Sequence, residues 1–191
     1  MTQIKKVVVL VSGEGTNLQA LIDIKNLGLL PIEIVAVVSN NQDCKALVRA
    51  QLQKIPTHSI IYKNTQTREN YDEALAEHIS LYQPDLVLLL GYMRIVTSVF
   101  IRKFRHILNI HPALPGEFPG SNAIGAAFNK KDEITETGVM VHRVIEEVDA
   151  GEVVDFIRVP IFSNDTYEEL RTRVRQAEKP LLIGSIMKYT S

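Results

Sequence analysis

Short apolar runs alternate with amphipathic stretches along the first half of the chain. The runs are rich in β-branched residues and apolar on both faces, which is typical of central strands in a covered parallel sheet. They occupy residues 4–11, 34–39, 86–90 and 107–110. Between them, apolar side chains recur at helical spacing after Asn17, over 46–53 and over 68–82. This alternation predicts an α/β fold with a doubly wound, mostly parallel sheet and helices on both of its faces.

The second half of the chain has a different pattern. Residues 138–144 alternate apolar and polar, and a second predicted strand at 152–160 follows a short loop, so we expect the two to pair as neighbours. Residues 166–188 carry apolar side chains near helical spacing, and Pro180 predicts either a kink there or a division into two helices. No linker or repeat interrupts the chain, so we expect residues 1–191 to form a single domain.

Composition excludes several classes of function. The chain has 191 residues, of which 46% are hydrophobic, and a formal net charge of −1. It lacks the basic excess of a nucleic-acid-binding surface, and no run reaches the ~20 apolar residues of a membrane span. Because Cys44 is its only cysteine, it can form neither an internal disulfide nor a cysteine-based zinc site. We therefore expect a cytoplasmic protein, a monomer or weak homodimer, without a nucleic-acid or membrane partner.

A glycine-rich turn, Ser-Gly-Glu-Gly-Thr-Asn, links the first predicted strand and helix at residues 12–17. Its two glycines permit tight backbone turns. Thr16 or Asn17 could cap the helix, whose first N–H groups favour a phosphate. A dinucleotide-binding loop would need a third glycine where this chain has Leu18, and an acidic residue near Ser39. The turn thus favours a monophosphate over NAD, and a tight turn without a ligand is the alternative.

Two polar side chains end the fourth apolar run. Asn109 and His111 point to the same side because strand side chains alternate, and Pro112 ends the strand there. Such parallel strands present ligand sites at their carboxyl ends. A carboxamide and an imidazole at that edge suit a developing oxyanion and a proton transfer. For so short a motif, ordinary local hydrogen bonds are the alternative.

An acidic cluster precedes a glycine turn at residues 146–151. Asp149, within it, could approach His111 and raise the pKa of that imidazole, or the cluster could be a solvated acidic loop. The residue pattern alone favours simpler roles elsewhere: His142 as an ordinary half-exposed strand residue, Arg68 as a helix-start residue and Glu178 as a surface charge.

Taken together, these segments resemble the folate-dependent formyltransferases. The matching segments are Val-Val-Leu-Val-Ser-Gly-Glu-Gly-Thr-Asn-Leu-Gln-Ala-Leu at 8–21, Gly-Tyr-Met-Arg-Ile at 91–95, Leu-Asn-Ile-His-Pro-Ala-Leu at 108–114 and Val-Asp-Ala-Gly at 148–151. They occur in family order and spacing, so the resemblance covers nearly the whole chain. Any one of these motifs is weakly specific, whereas four in register are highly specific.

The resemblance implies transfer of a formyl group from the co-substrate 10-formyltetrahydrofolate to the amine of glycinamide ribonucleotide, without a metal. It also implies roles for individual residues. The matching catalytic residues are Asn109, His111 and Asp149. The matching ribonucleotide-binding residues are Gly15, Thr16, Asn17 and Glu178. The matching folate-binding residues are Arg68, Met93, Arg94, Ile95, Val96 and Asn109, and the loop at 144–149 matches the segment that wraps the pterin.

Two positions depart from the bacterial-type pattern: Asn122 stands where many members have a histidine, and Met140 where a serine is common. Relatives that act on transfer RNA, that hydrolyse formyl folate or that formylate sugar nucleotides share the core motif but usually carry additional domains or length. The phosphate loop at 12–17 favours a small ribonucleotide instead. A non-catalytic nucleotide- or folate-binding module is the alternative from a different class.

Overall fold

The structure, a computed structural model, describes residues 3–63 and 65–190. The elements, in chain order, are β1 (Lys5–Val11), α1 (Thr16–Asn26), β2 (Ile32–Ser39), α2 (Lys45–Leu52), β3 (Thr57–Ser59), α3 (Arg68–Ser80), β4 (Leu86–Leu89), α4 (Ser98–Ile101), β5 (Ile107–His111), α5 (Ala123–Asn129), β6 (Glu136–Arg143), β7 (Val153–Pro160) and α6 (Tyr167–Thr190). The strands of the described residues follow the sheet order β3-β2-β1-β4-β5-β6-β7. The chain divides into two compact units, residues 1–108 with 190–191, and residues 109–189.

The first unit is built on parallel strands. β1 pairs with β2 on one side and β4 on the other, and β2 pairs with β3, all in parallel. Five consecutive residues of β1, Val7 to Val11, are completely buried. A central parallel strand is covered on both faces, which explains why its sequence is a continuous apolar run rather than an alternating one. The prediction of an α/β fold with a mostly parallel sheet is confirmed.

Three short elements escaped prediction. β3 has three residues, α4 has four and α5 has seven. Elements of this length span too few residues to show a hydrophobic period. They are defined by their neighbours instead, as β3 is by its pairing with the end of β2.

The second unit contains an antiparallel pair. β6 pairs with β7 from Glu136 opposite Pro160 to His142 opposite Val153, with a register shift after Val141. The expectation that His142 is a half-exposed strand residue is wrong, because all six residues from Thr137 to His142 are buried. β6 lies between β5 and β7 in the sheet, and its polar side chains Thr137 and His142 are buried.

The helix α6 runs for 24 residues with Pro180 inside it. Of the two outcomes that Pro180 allowed, the division into two helices is excluded. The buried positions Val174 and Leu181 lie on either side of the proline, so packing continues past it and offsets the one backbone hydrogen bond that proline removes. Among the described residues, no helix combines the length and the apolar character needed to cross a membrane.

Candidate active site

Three polar side chains of the second unit surround the carboxylate of Asp149, so that four polar side chains form one cluster. Nδ1 of His111 lies 3.3 Å from Oδ2 of Asp149, and Nε2 of His142 lies 3.4 Å from Oδ1. The Nδ2 group of Asn109 donates to Oδ1 at 3.2 Å. The structure therefore brings together the three residues that the sequence suggested as catalytic, and it adds His142. All four are buried or nearly so.

The strands explain how three of these side chains converge. Asn109 and His111 are two residues apart on β5, and strand geometry places such residues on one face. His142 comes from the neighbouring strand β6, near its end. These are short, rigid elements, so the imidazoles and the carboxamide have little freedom to move apart.

Asp149 lies in the loop between β6 and β7 and has a strained backbone. Its φ is +54°, in the left-handed region that residues other than glycine rarely adopt. The backbone N–H of Gly120 donates to Oδ2 of Asp149 at 2.8 Å, and this bond, with those to Asn109 and the histidines, holds the carboxylate in place. Strain of this kind persists only where surrounding contacts over-determine the conformation.

The environment keeps Asp149 ionised. Burial raises its pKa, but the hydrogen bond with His142, the N–H of Gly120 and the nearby charge of His111 together outweigh that effect, so the pKa of Asp149 lies below its ordinary value of 3.8. Asp149 is therefore a carboxylate at neutral pH, able to accept hydrogen bonds from donors on several sides.

The pKa of His111 reflects opposing effects of burial and of neighbouring groups. Burial lowers the pKa of His111, and His142 lowers it further. The charge of Asp149 and a hydrogen bond with the carbonyl oxygen of Phe118 raise it. The net pKa lies below 6.5. The attraction of Asp149 raises the pKa of His111, as expected, but desolvation by burial outweighs this effect. Yet Nε2 of His111 lies 3.0 Å from the Phe118 oxygen, so both ring nitrogens face acceptors. Only the imidazolium carries an N–H on both nitrogens and can donate to both acceptors.

His142 is the residue that the sequence argument missed. Its side chain is 2% exposed rather than half-exposed. Its Nδ1–H donates to the carbonyl oxygen of Arg143 at 2.9 Å, which leaves Nε2 turned toward Asn109, 3.2 Å away, and Asp149. An added Cβ at Gly151 would lie 1.8 Å from that same carbonyl oxygen. Only glycine leaves room for this arrangement. In the sequence, the one signal for His142 was a histidine seven residues before Asp149.

In the first unit, the glycine-rich turn between β1 and α1 packs closely against α2. Gly15 has φ +71° and precedes α1, and an added Cβ there would lie 2.5 Å from Cβ of Ala46. Gly15, not Thr16 or Asn17, occupies the capping position, because the helix already begins at Thr16 and no side chain caps it. The N–H groups of a first helical turn have no partner within the helix, so this turn presents main-chain donors and the positive helix end, both suited to an anion.

The segment after β4 is held by hydrogen bonds from three directions. The N–H of Met93 donates to Oγ of Ser12 at 2.8 Å, and Nη2 of Arg68 donates to the carbonyl oxygen of Ile95 at 2.8 Å. The N–H of Thr97 donates to the carboxylate of Asp72. Within this segment the side chains of Met93 and Ile95 are exposed by 63% and 52%, whereas Val96 is buried.

Two further candidates have simple placements. Arg94 lies against aromatic rings in the first unit. Glu178 is half-buried in α6 of the second unit. Over residues 3–63 and 65–190, no group of three histidine, cysteine or acidic side chains has the arrangement of metal ligands.

A buried carboxylate flanked by two imidazoles and a carboxamide equips an enzyme to move protons during group transfer. Comparison with protein families matches residues 5–186 to the formyl transferase family. The chain belongs to this family. The departures at Asn122 and Met140 lie outside the four-residue cluster: Asn122 precedes α5 and Met140 is buried in β6.

Named relatives agree on one activity. The chain is 41% identical to phosphoribosylglycinamide formyltransferase of Dictyostelium discoideum, with 93% of this chain and 94% of that one covered. It is 39% identical to the Escherichia coli enzyme of the same name, over 93% of this chain and 85% of that one. Glycinamide ribonucleotide transformylase 1 of Symbiobacterium toebii superposes with a TM-score of 0.93 at 34% identity, covering 98% of this chain and 88% of that one.

Proposed function

We propose that the chain transfers a formyl group from 10-formyltetrahydrofolate to the amine of glycinamide ribonucleotide. The products are formylglycinamide ribonucleotide and tetrahydrofolate, and the reaction belongs to purine synthesis. The named relatives support the substrate pair. The single structural observation that carries the chemistry is the cluster of Asn109, His111, His142 and Asp149.

The reaction needs a place for a negative charge and a route for one proton. The substrate amine attacks the formyl carbon, an oxyanion forms, and the C–N bond to the folate then breaks. The amine loses one proton and the folate nitrogen gains one, so the proton count balances. We assign the oxyanion to Asn109 and the protonated form of His111, because preorganised donors are worth about 3–4 kcal/mol each at such a position.

Asp149 and His111 supply the proton route. The carboxylate of Asp149 stabilises the imidazolium that forms when His111 takes up a proton, and His111 then donates that proton to the leaving nitrogen. A histidine whose pKa lies below 6.5 gives up its proton readily, which suits this second step. His142 and the Gly120 N–H hold the carboxylate in place.

The remaining candidates bind rather than react. We assign the phosphate of the ribonucleotide to the main chain of Gly15, Thr16 and Asn17, and a further contact with this substrate to Glu178. Contacts with the folate are assigned to Asn109 and to residues of the first unit, which are Arg68, Met93, Arg94, Ile95 and Val96. In this assignment residues 1–191 act as one formyltransferase domain, cytoplasmic and monomeric or weakly dimeric, with small-molecule partners only and no metal.

A product assay tests the function. Purified protein with both substrates should form tetrahydrofolate and formylated ribonucleotide in equal amounts, and almost none when the ribonucleotide is omitted. His111→Ala should lower kcat by roughly 10²–10⁴-fold while circular dichroism shows an intact fold. Equal tetrahydrofolate release without the amine would indicate a hydrolase, and tight binding of both substrates without turnover would indicate a binding module. Either result would overturn the proposal.

A further inference from the structure

Arg94, in the segment that follows β4, packs its guanidinium against the faces of two tyrosine rings. Its guanidinium carbon is 4.0 Å from the centre of the Tyr62 ring and 4.7 Å from the centre of the Tyr71 ring. Both distances are within the ~6 Å at which a cation is attracted to the face of an aromatic ring. The guanidinium is therefore oriented by two π-faces.

This cation has no anionic partner in the part of the chain that the structure describes. None of the ion pairs among residues 3–63 and 65–190 includes Arg94, and its Nε atom is buried without a hydrogen-bond partner there. A buried N–H without an acceptor costs free energy. An acceptor brought by a ligand would remove that cost.

The two rings are held in different ways. Tyr71 belongs to α3 and is fully buried, and its hydroxyl donates to the carbonyl oxygen of Ile60 at 2.7 Å. Tyr62 lies on the connection between β3 and α3, is half-buried, and donates to the carbonyl oxygen of Gln66 at 2.9 Å. The rings meet edge to face, 5.5 Å apart. Tyr71 is thus part of the core, whereas Tyr62 is a half-buried residue on the connection between β3 and α3.

We propose that Tyr62 is a positioning residue for the formyl folate: its ring stacks on Arg94 and directs the guanidinium N–H groups toward a carboxylate of the folate's glutamate. This inference rests on the proposed function, which supplies the folate as ligand. A stacked guanidinium keeps its N–H donors in one plane, and that geometry matches a carboxylate. Holding the side chain in this orientation beforehand lowers the entropy lost on binding.

Kinetics with Tyr62 variants test the proposal. Tyr62→Leu removes the ring, whereas Tyr62→Phe keeps it and removes only the hydroxyl. A cation–π contact of about 0.5–2 kcal/mol corresponds to a roughly 2- to 30-fold change in binding. Tyr62→Leu should raise KM for 10-formyltetrahydrofolate by this factor, with kcat and KM for the ribonucleotide unchanged, and Tyr62→Phe should resemble the wild type. Tyr82→Leu is the matched control, because it removes a different tyrosine, whose hydroxyl is hydrogen-bonded to His58.

Two further comparisons separate positioning from a general effect on folding. The rise in KM caused by Tyr62→Leu should disappear when the co-substrate is a 10-formyl pteroate analogue that lacks the glutamate. It should also disappear when Tyr62→Leu is made in an Arg94→Met background. Three results would overturn the proposal. They are an equal rise in KM with that analogue, a full rise in KM without Arg94, and an unchanged folate KM in a folded Tyr62→Leu protein. If Tyr62→Leu fails to fold, Tyr62→Gln replaces it in the same comparisons. Absence of transferase activity in the wild type would instead overturn the proposed function itself.

Discussion

Replacing Asp149 by asparagine tests the proton route most directly. Asp149→Asn keeps the size and shape of the side chain, and its amide oxygen can still accept the hydrogen bond from Gly120 N–H at 2.8 Å. It loses the negative charge beside His111, whose Nδ1 is 3.3 Å away, and its NH2 group replaces the oxygen that accepts from Asn109. The substitution thus removes the stabilisation of the imidazolium while leaving the framework of β5 and β6 unchanged.

The expected loss of rate follows from the distance. Two unit charges separated by 3.3 Å attract by about 5 kcal/mol at an effective dielectric constant of about 20. If this attraction develops only as His111 becomes protonated, its loss raises the barrier by up to that amount, or roughly 5,000-fold in rate. Positioned acid–base groups typically contribute ~10²–10⁴-fold. We therefore expect kcat to fall by roughly 10²–10⁴-fold, with both KM values little changed.

The assay is steady-state formation of tetrahydrofolate with both substrates saturating, accompanied by urea unfolding of each variant. Asp155→Asn is a matched control, because Asp155 is also a carboxylate paired with a cation, Lys188, at 2.7 Å, but lies on β7 in a partly exposed position. It should leave kcat unchanged. A folded Asp149→Asn protein whose kcat stays within a few-fold of the wild type would refute the assigned role of the carboxylate.

Three further predictions follow from the same cluster. His142→Phe fills the buried site but removes the contacts of Nε2 with Asn109 and Asp149, so kcat should fall by roughly 10–150-fold, as expected for a lost hydrogen bond to a charged group; a rate equal to that of the wild type would exclude this role. Gly151→Ala should destabilise by about 1–3 kcal/mol in urea unfolding, because its Cβ would lie 1.8 Å from the Arg143 oxygen, whereas Gly184→Ala, with no atom near its added Cβ, should be neutral or stabilising. The lowered pKa of His111 means that the unfolded chain binds a proton more readily, so stability should be complete above about pH 6.5 and fall as pH drops from 6.5 toward the folded pKa. His111→Gln should reduce this slope, and an unchanged slope would contradict the assignment.

Much of the sheet could be predicted because local composition and tertiary environment agree there. In β1 the apolar run from Val7 to Val11 coincides with the five completely buried positions, so the hydrophobic pattern and the burial agree. β6 shows the opposite case. From its alternating sequence we expected His142 to be half-exposed, but Thr137 and His142 are both buried. Hydrophobic periodicity reflects whether each side chain prefers solvent or the core, whereas its actual burial depends on packing with elements distant in sequence.

The candidate site also has some features that the sequence predicts and others that only the tertiary structure sets. The types and order of its residues are properties of the sequence, and strand alternation alone places Asn109 and His111 on one side of β5. No spacing rule could bring Asp149, 38 positions after His111, to within 3.3 Å of it, because that approach depends on how the loop between β6 and β7 folds back and on a left-handed backbone at Asp149.

By itself, the sequence determined the class of fold, the glycine-rich turn and the identity of three of the polar side chains that meet at the candidate site. Only the tertiary structure decided that His142 joins them and that burial lowers the pKa of His111 despite the adjacent carboxylate. The physical reason is that desolvation and charge interactions are set by distances through space. Such distances follow from the packing of whole elements, which no local pattern of residues records.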